Sequence, residues 1–433
     1  MQMKTMRRLL IKNIGLLVAD RHGKPCLCGD EMAEADIVRD AWLLVEDGRV
    51  KDFGGKADQT IAPPDEAMEG LAVVDAEGGA VLPSFCDSHT HLVYADSREG
   101  EFVDKIRGLS YAEIARRGGG ILCSADRLHQ MSEDELYRRA MRRVEEIVRK
   151  GTGAVEIKSG YGLNTADELK MLRVIRRIGQ TAPLRVVATL LAAHAVARDY
   201  AGRQADYVDM VVGEMIPEVG RQQLAHFIDV FCDEGFFTPE ETARMLEAGA
   251  KWGLRPKIHG QELADSGGVE VAVRCHALSV DHLERMTARD IALLREARGA
   301  TIPTALPGTS FFLNMPYAPA RKMLDAGLPL ALASDYNPGS TPSGDMKFVV
   351  SLACIKMRLL PVEALHAATL NGAAAMGLSR DYGSIARGKV ANCFITEPVD
   401  SLDMLPYAYT TPLIKRVVLG GELIDERWQR DEK

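Results

Sequence analysis

The stretch Val81-Leu82-Pro83-Ser84-Phe85-Cys86-Asp87-Ser88-His89-Thr90-His91 decides how the rest of the chain is read. Its first half is apolar, as in a strand buried on both faces of a parallel sheet. Side chains at i and i+2 of a strand point the same way, so His89 and His91 converge at its end. Two convergent imidazoles suit zinc, iron, copper or nickel. A hydrolytic site would add one or two further His or carboxylate ligands and leave one position open to water. A His-x-His pair alone is more often a surface or core feature. Its place at the carboxyl end of an apolar strand favours the metal, because barrel enzymes gather their chemistry there.

Outward from that stretch, the chain alternates apolar strand, loop and amphipathic helix. The strand candidates are 81–86, 153–158, 186–193, 227–232, 256–258, 278–281, 300–306 and 328–334. Two helices carry capping-box start signals, Thr165 with Glu168 and Thr238-Pro239 with Glu241. Eight alternations in one run predict an α/β fold of the TIM type, a (β/α)8 barrel, over an open doubly wound sheet. Residues 1–80 read instead as short strands, with an Asp47-Gly48 hairpin turn between apolar runs. Strands return after residue 378, with turns at Gly388-Lys389 and Gly420-Gly421. The expected organisation is a barrel over 81–378 and a small β-sandwich domain formed by the N-terminal segment 1–80 and the C-terminal segment 379–433.

The chain of 433 residues has room for one large barrel and a smaller domain. A net charge of -8 arises from dispersed acids with no basic run, which argues against nucleic acid as a partner. The opening Met6-Arg7-Arg8-Leu9-Leu10-Ile11 is no signal peptide, since Lys12, Asn13 and Asp20 interrupt the apolar region. No apolar run approaches a membrane span, and a cytoplasmic protein is expected. Eight scattered cysteines imply a reducing compartment. Cys26 and Cys28 are too close for the usual zinc spacing, and Cys232, although at a strand end, reads first as a small hydrophobe.

The ends of the later strands supply what His89 and His91 lack. Strand five leads into His259, strand six into His282 and strand eight into Asp335, all on one face of the expected barrel. Each alone would pass for a structural residue; their shared register makes them a site. A metal held there would acidify water to yield hydroxide near neutral pH, so the expected chemistry is hydrolysis. Glu262, three residues past His259, has the reach of a proton shuttle. Lys158 ends strand two and not strand four, where a carboxylated, metal-bridging Lys would stand, so a single metal is expected. Arg98, in the first loop, can form a paired contact with a carboxylate. Tyr161, His194 and the run Asn337-Pro338-Gly339-Ser340 open onto the same face.

These motifs resemble the amidohydrolase superfamily. Within it, the strings Arg117-Gly118-Gly119-Gly120-Ile121, Lys158-Ser159-Gly160-Tyr161-Gly162, Glu214-Met215-Ile216-Pro217, Asp281-His282-Leu283-Glu284 and Asp335-Tyr336-Asn337-Pro338-Gly339-Ser340 are similar to those of the imidazolonepropionases of histidine degradation. The resemblance implies one divalent or trivalent metal ion, zinc or iron, held by His89, His91, His259 and Asp335. It further implies that Glu262, His282 and Asp335 carry the catalysis. Arg98, Tyr111, Tyr161, His194, Glu262, Asn337, Gly339 and Ser340 would bind the small-molecule substrate. The implied reaction opens the cyclic amide of 4-imidazolone-5-propanoate to N-formimidoyl-L-glutamate. Another cyclic amidohydrolase or a deaminase of the superfamily is the alternative, and a barrel that only binds is a more distant one. Members of the family are commonly homodimers, for which this sequence carries no signal of its own. The chain departs from the family pattern at Ala193, Arg198 and Gly260, which bears on the shape of the loops beside the expected site.

Overall fold

A computed structural model describes residues 7–56, 65–66, 70–109, 113, 117, 119–297 and 299–424. The chain begins with β1 (Arg8–Ala19), β2 (Asp36–Glu46) and β3 (Arg49–Gly55), followed by β4 (Leu71–Asp75) and β5 (Gly79–Pro83). β1 pairs antiparallel with β2, and β2 with β3 across Asp47-Gly48. Both turn residues have positive φ, 46° and 78°, which matches the right-handed twist of the flanking strands. The other edge of β1 is shared in turn by β4 and β5, both parallel to it.

The barrel follows: β6 (Phe85–Asp87), β7 (Thr152–Lys158), β8 (Arg185–Ala193), β9 (Phe227–Cys232), β10 (Arg255–Pro256), β11 (Ile258–Gly260), β12 (Ser279–His282), β13 (Ile302–Ala305) and β14 (Ala331–Leu332). All pairings among them are parallel, and β10 is a two-residue lead into β11. Residues just past the ends of β6 and β14 close the ring. His91 N donates to Tyr336 O at 2.9 Å, and Asp335 N donates to His89 O at 3.0 Å. Closure therefore ties the two ends of the expected site to each other.

The chain then returns to the first sheet with β15 (Cys393–Pro398), β16 (Ile414–Leu419) and β17 (Glu422–Leu423). β15 pairs antiparallel with β5, Phe394 opposite Leu82. The N- and C-terminal segments thus form one curled eight-stranded sheet around its own core of Leu9, Ile11, Leu43, Phe53, Val81 and Ile395. A second, larger apolar core fills the space between the barrel strands and their helices.

Three local readings differ from the sequence expectation. The run 81–86 is not one strand: β5 ends at Pro83 in the terminal sheet, and β6 begins at Phe85 in the barrel. Ser84, whose N–H donates to Asn392 O at 3.0 Å, is the crossing point, so two short buried strands of different sheets read as one apolar run. Lys257 interrupts the fifth barrel strand and divides it into β10 and β11. The helix Thr165–Thr181 is capped by Asn164, which accepts from Asp167 N at 2.9 Å. Glu168 is buried and turned into the preceding loop, where it accepts from the N–H groups of Gly160 (3.0 Å), Gly162 (2.7 Å) and Leu163 (2.9 Å). Three converging backbone donors outweigh the single one a capping box would offer it. The other start signal holds: Thr238 and Glu241 form a reciprocal box on the helix Pro239–Ala250.

Candidate active site

The five strand-end residues meet at one point. His91 Nε2 lies 3.3 Å from the Nε2 atoms of both His89 and His259, and 3.4 Å from Asp335 Oδ1. Two overlapping triples, His89-His91-Asp335 and His89-His259-His282, have ligand atoms within 4.8 Å of one another, and all are buried. Asp335 and His282 take positive φ, 54° and 86°, an unfavourable backbone state for such residues that aims both side chains at the centre.

Carboxylates behind the imidazoles set which nitrogen is free. His89 Nδ1 stands 2.6 Å from Asp281 Oδ2, and His259 Nδ1 stands 2.9 Å from Asp229 Oδ2. A carboxylate accepts, so the His89 ring carries its proton on Nδ1 and turns a lone pair on Nε2 toward the centre, and Asp229 stands close enough to His259 Nδ1 to favour the same state there. Asp335 Oδ1 is buried with no hydrogen-bond partner among the described residues, while Oδ2 accepts from Thr309 Oγ1 at 2.6 Å. Burial and the neighbouring cations hold His89 and His91 neutral, their pKa well below the ordinary imidazole value. Lone pairs thus face one another in a dry pocket, an arrangement that a cation reconciles. A tetrahedral ion with bonds of about 2.0–2.1 Å spaces its ligand atoms about 3.3–3.4 Å apart, and the imidazole nitrogens stand at that spacing. The donor set fits a divalent metal ion.

Beneath the cluster lies a fully buried set of charges. Lys158 Nζ stands 2.7 Å from Glu156 Oε1, 2.8 Å from Asp229 Oδ2 and 3.8 Å from Asp281 Oδ2. Lys257 Nζ donates to Ser88 O at 2.8 Å, pairs with Glu156 and stands 3.7 Å from Asp281 Oδ2. Burial opposes charge on Lys158, but Asp229, Glu156 and Asp281 outweigh it and move its pKa up. Lys158 is therefore an ammonium among carboxylates, and a carboxylated Lys there would set a further anion against three others.

Above the cluster opens a cavity of about 580 Å³, lined among others by His91, Arg98, Tyr161, His194, His259, Glu262, His282, Asp335, Asn337, Gly339 and Ser340. His89 lies below it, and Tyr111 falls outside the described residues. Glu262 Oε2 is 3.6 Å from His282 Nε2, and Glu284 Oε2 is 3.7 Å from His282 Nδ1. Burial, with Glu284 and Asp335 adding to it against the pull of His282, pushes the Glu262 pKa up. Burial works against charge on His282, but Glu262, Glu284 and Asp335 prevail and raise its pKa. The Glu262 loop is held by Asp233, which accepts from the N–H groups of Glu262 (2.8 Å), Leu263 (2.9 Å) and Ala264 (3.1 Å). His194 is kept neutral, its pKa down to about 3, by burial and by His259. Asn337 Oδ1 accepts from Gly339 N and Ser340 N, both at 2.8 Å, which fixes the last loop. Arg98 packs so closely on Gly339 that a Cβ there would lie 1.1 Å from Nη2, so only glycine admits the guanidinium. Arg98 Nε and Nη1 are buried without a hydrogen-bond partner among the described residues.

The sequence reading did not single out Asp229, Asp233, Asp281, Glu284 or Lys257. The signal was there in part: Glu156, Lys158, Asp229, Lys257 and Asp281 are charges of both signs in or beside apolar strand runs. Cys232 is a buried thiol whose pKa burial pushes up to about 11, in keeping with a small hydrophobe.

A parallel barrel with a curled terminal sheet and a His/Asp cluster at its carboxyl face defines a metal-dependent hydrolase class, and the family model described as "Amidohydrolase family" matches residues 80–424. The chain belongs to that family, and a divalent metal is the cofactor the family and the cluster imply. It is 50% identical over 417 residues to an imidazolonepropionase of Christiangramia forsetii, covering 96% of this chain and 100% of the relative. It is 49% identical over 416 residues to an imidazolonepropionase of Flavobacterium johnsoniae, covering 96% and 99%. Within the amidohydrolases it belongs with the imidazolonepropionases. Among solved structures, an adenosine deaminase from Xanthomonas campestris with bound zinc matches at a TM-score of 0.67 and 18% identity, covering 98% of this chain and 94% of that one, a likeness of fold.

Proposed function

We propose that the chain hydrolyses the cyclic amide of 4-imidazolone-5-propanoate to N-formimidoyl-L-glutamate, with His89, His91, His259 and Asp335 holding one metal ion, zinc or iron. A divalent ion held by these residues supplies Lewis acidity, which acidifies water and polarises a carbonyl. Everything else falls to the protein. Arg98 offers its unpartnered Nε and Nη1 to the propanoate, fixing the ring over the cluster. Tyr161 and His194 form the wall beside His91, the rings of His194 and His91 stacked with centroids 5.0 Å apart. A neutral His194 donates from Nδ1 to Gly160 O at 3.1 Å and keeps Nε2 as an acceptor for a ring N–H. Glu262 takes the proton from the attacking water and returns it to the ring nitrogen as the carbon–nitrogen bond breaks; its raised pKa suits it to both transfers near neutral pH. His282, positively charged between Glu262 and Glu284, stabilises the negative charge that develops on the carbonyl oxygen. A reducing compartment, the cytoplasm, is the proposed setting, and the free cysteines are in keeping with it.

The observation that carries the reading is the buried guanidinium of Arg98, whose Nε and Nη1 have no hydrogen-bond partner among the described residues, facing the His/Asp cluster across one cavity in a chain half identical to imidazolonepropionases. The test is the absorbance of imidazolone propanoate, generated from urocanate, followed before and after removal and return of metal. Metal-dependent decay with formimidoyl-glutamate as product is expected. A ring that stays closed while a panel of aminated heterocycles loses ammonia would make the chain a deaminase instead.

A further inference from the structure

The wall of the cavity that carries Arg98 holds a second cation, which no motif of the sequence accounts for. Arg98 is the N-cap of the helix Glu99–Ile106, and Lys105 lies seven positions on, two helical turns along the same face. Both side chains line the cavity, and both end at Gly339. Arg98 Nη2 occupies the space where a Cβ of Gly339 would be, and Lys105 Nζ donates to Gly339 O at 3.0 Å. The ammonium also stands 5.8 Å from the ring centroid of Phe312, which in turn stacks on Phe102 at 5.3 Å.

This wall is left with an excess of positive charge. Glu101 is the acid that faces Arg98, at 3.8 Å from Nε, and its other oxygen already accepts from Gly120 N at 2.9 Å. Among the described residues, the two cations therefore share one distant carboxylate in a half-buried apolar setting, a state that an anion would relieve. An ammonium bound to one carbonyl still has two donors to give.

We propose that Lys105 is a second carboxylate-reading residue, which with Arg98 forms a two-cation clamp that selects an acidic substrate and sets the length of its side chain. The inference rests on the reading of the substrate as a ring with a carboxylate tail. A guanidinium fixes the plane of a carboxylate, and an ammonium on a flexible stem fixes how far it reaches.

The experiment compares wild type, Lys105→Met and Lys105→Arg on imidazolone propanoate and on the corresponding propanamide. Lys105→Met should lower the acid-to-amide selectivity in kcat/KM by about tenfold, the loss residing in KM for the acid. Lys105→Arg, which keeps the charge, should retain most of the selectivity. A lysine that only tethers the helix to the Gly339 loop would slow both substrates equally in Lys105→Met, and equal losses or no change overturn the proposal. Should wild type open neither ring, the substrate reading falls and the clamp is judged by calorimetry with imidazole propanoate. Weaker binding to Lys105→Met than to wild type then supports the proposal, and equal binding overturns it.

Discussion

The floor and the rim of the active-site cavity are built on opposite plans. On the floor, Glu156, Lys158, Asp229, Lys257 and Asp281 have no exposed side-chain surface, and each faces an opposite charge. On the rim, the helix Glu99–Ile106 has no buried residue, Phe102 and Ile106 are 44% and 69% exposed, and Arg98 keeps two nitrogens unpartnered. The floor's charges are matched within the protein; the rim's, on the proposed reading, are matched by the substrate. The chemistry is thus preorganised on rigid strands, and recognition is left to a lightly packed element that can adjust. Substitutions on the floor should act on metal affinity and kcat, and substitutions on the rim on KM.

The largest effect is expected where the two meet. Glu262 lines the cavity, yet its loop is pinned by Asp233 below. Glu262→Gln keeps the shape and removes the proton carrier, so kcat should fall about 10²- to 10⁴-fold with metal content unchanged. Full turnover by a metal-loaded Gln variant would remove Glu262 from the proton path.

The contrast also explains what the sequence could convey. Candidate site residues at strand ends were legible because a strand repeats every two residues and eight strands share one direction, so His89, His91, His259, His282 and Asp335 could be aligned without coordinates. The carboxylates behind them were not, because the partnership of Asp281 with His89 spans 192 positions and only barrel closure creates it. Glu168 shows a different limit. Its spacing from Thr165 fits a capping box, but the three N–H groups of the Gly160–Leu163 loop are stronger competitors. The split of 81–86 between two sheets was hidden because both halves are equally apolar and no charge marks Ser84. On the rim, Arg98 stood out as a lone cation near the His pair, whereas Lys105 looks in sequence like any solvated helix residue.

A rim substitution should come next in size. Arg98→Met removes the planar donor pair and preserves the packing of its stem, so KM for the acidic substrate should rise on the order of 10- to 100-fold, the range that one or two charge-assisted hydrogen bonds support. Metal content and the tightness of metal binding should stay at the wild-type level. A fall in metal content instead would mean that the rim and floor are mechanically coupled, and the division between them would not stand.

A third effect, no larger than the second, probes the floor alone. Asp281→Asn has nearly the same volume, but it exchanges an obligate acceptor for a group that can donate, so His89 is no longer obliged to carry its proton on Nδ1. It also removes one of the three carboxylates around Lys158 and Lys257, so the floor loses the net negative charge that favours a cation bound above. Metal affinity, measured by competition with a chelator, should weaken about 10- to 100-fold, as for other residues that orient a ligating imidazole. KM for the substrate on the reloaded enzyme should change little, because Asp281 lies below the ligands and does not line the cavity. If KM rises as much as metal affinity falls, the floor also shapes the substrate site, and the two regions are not independent.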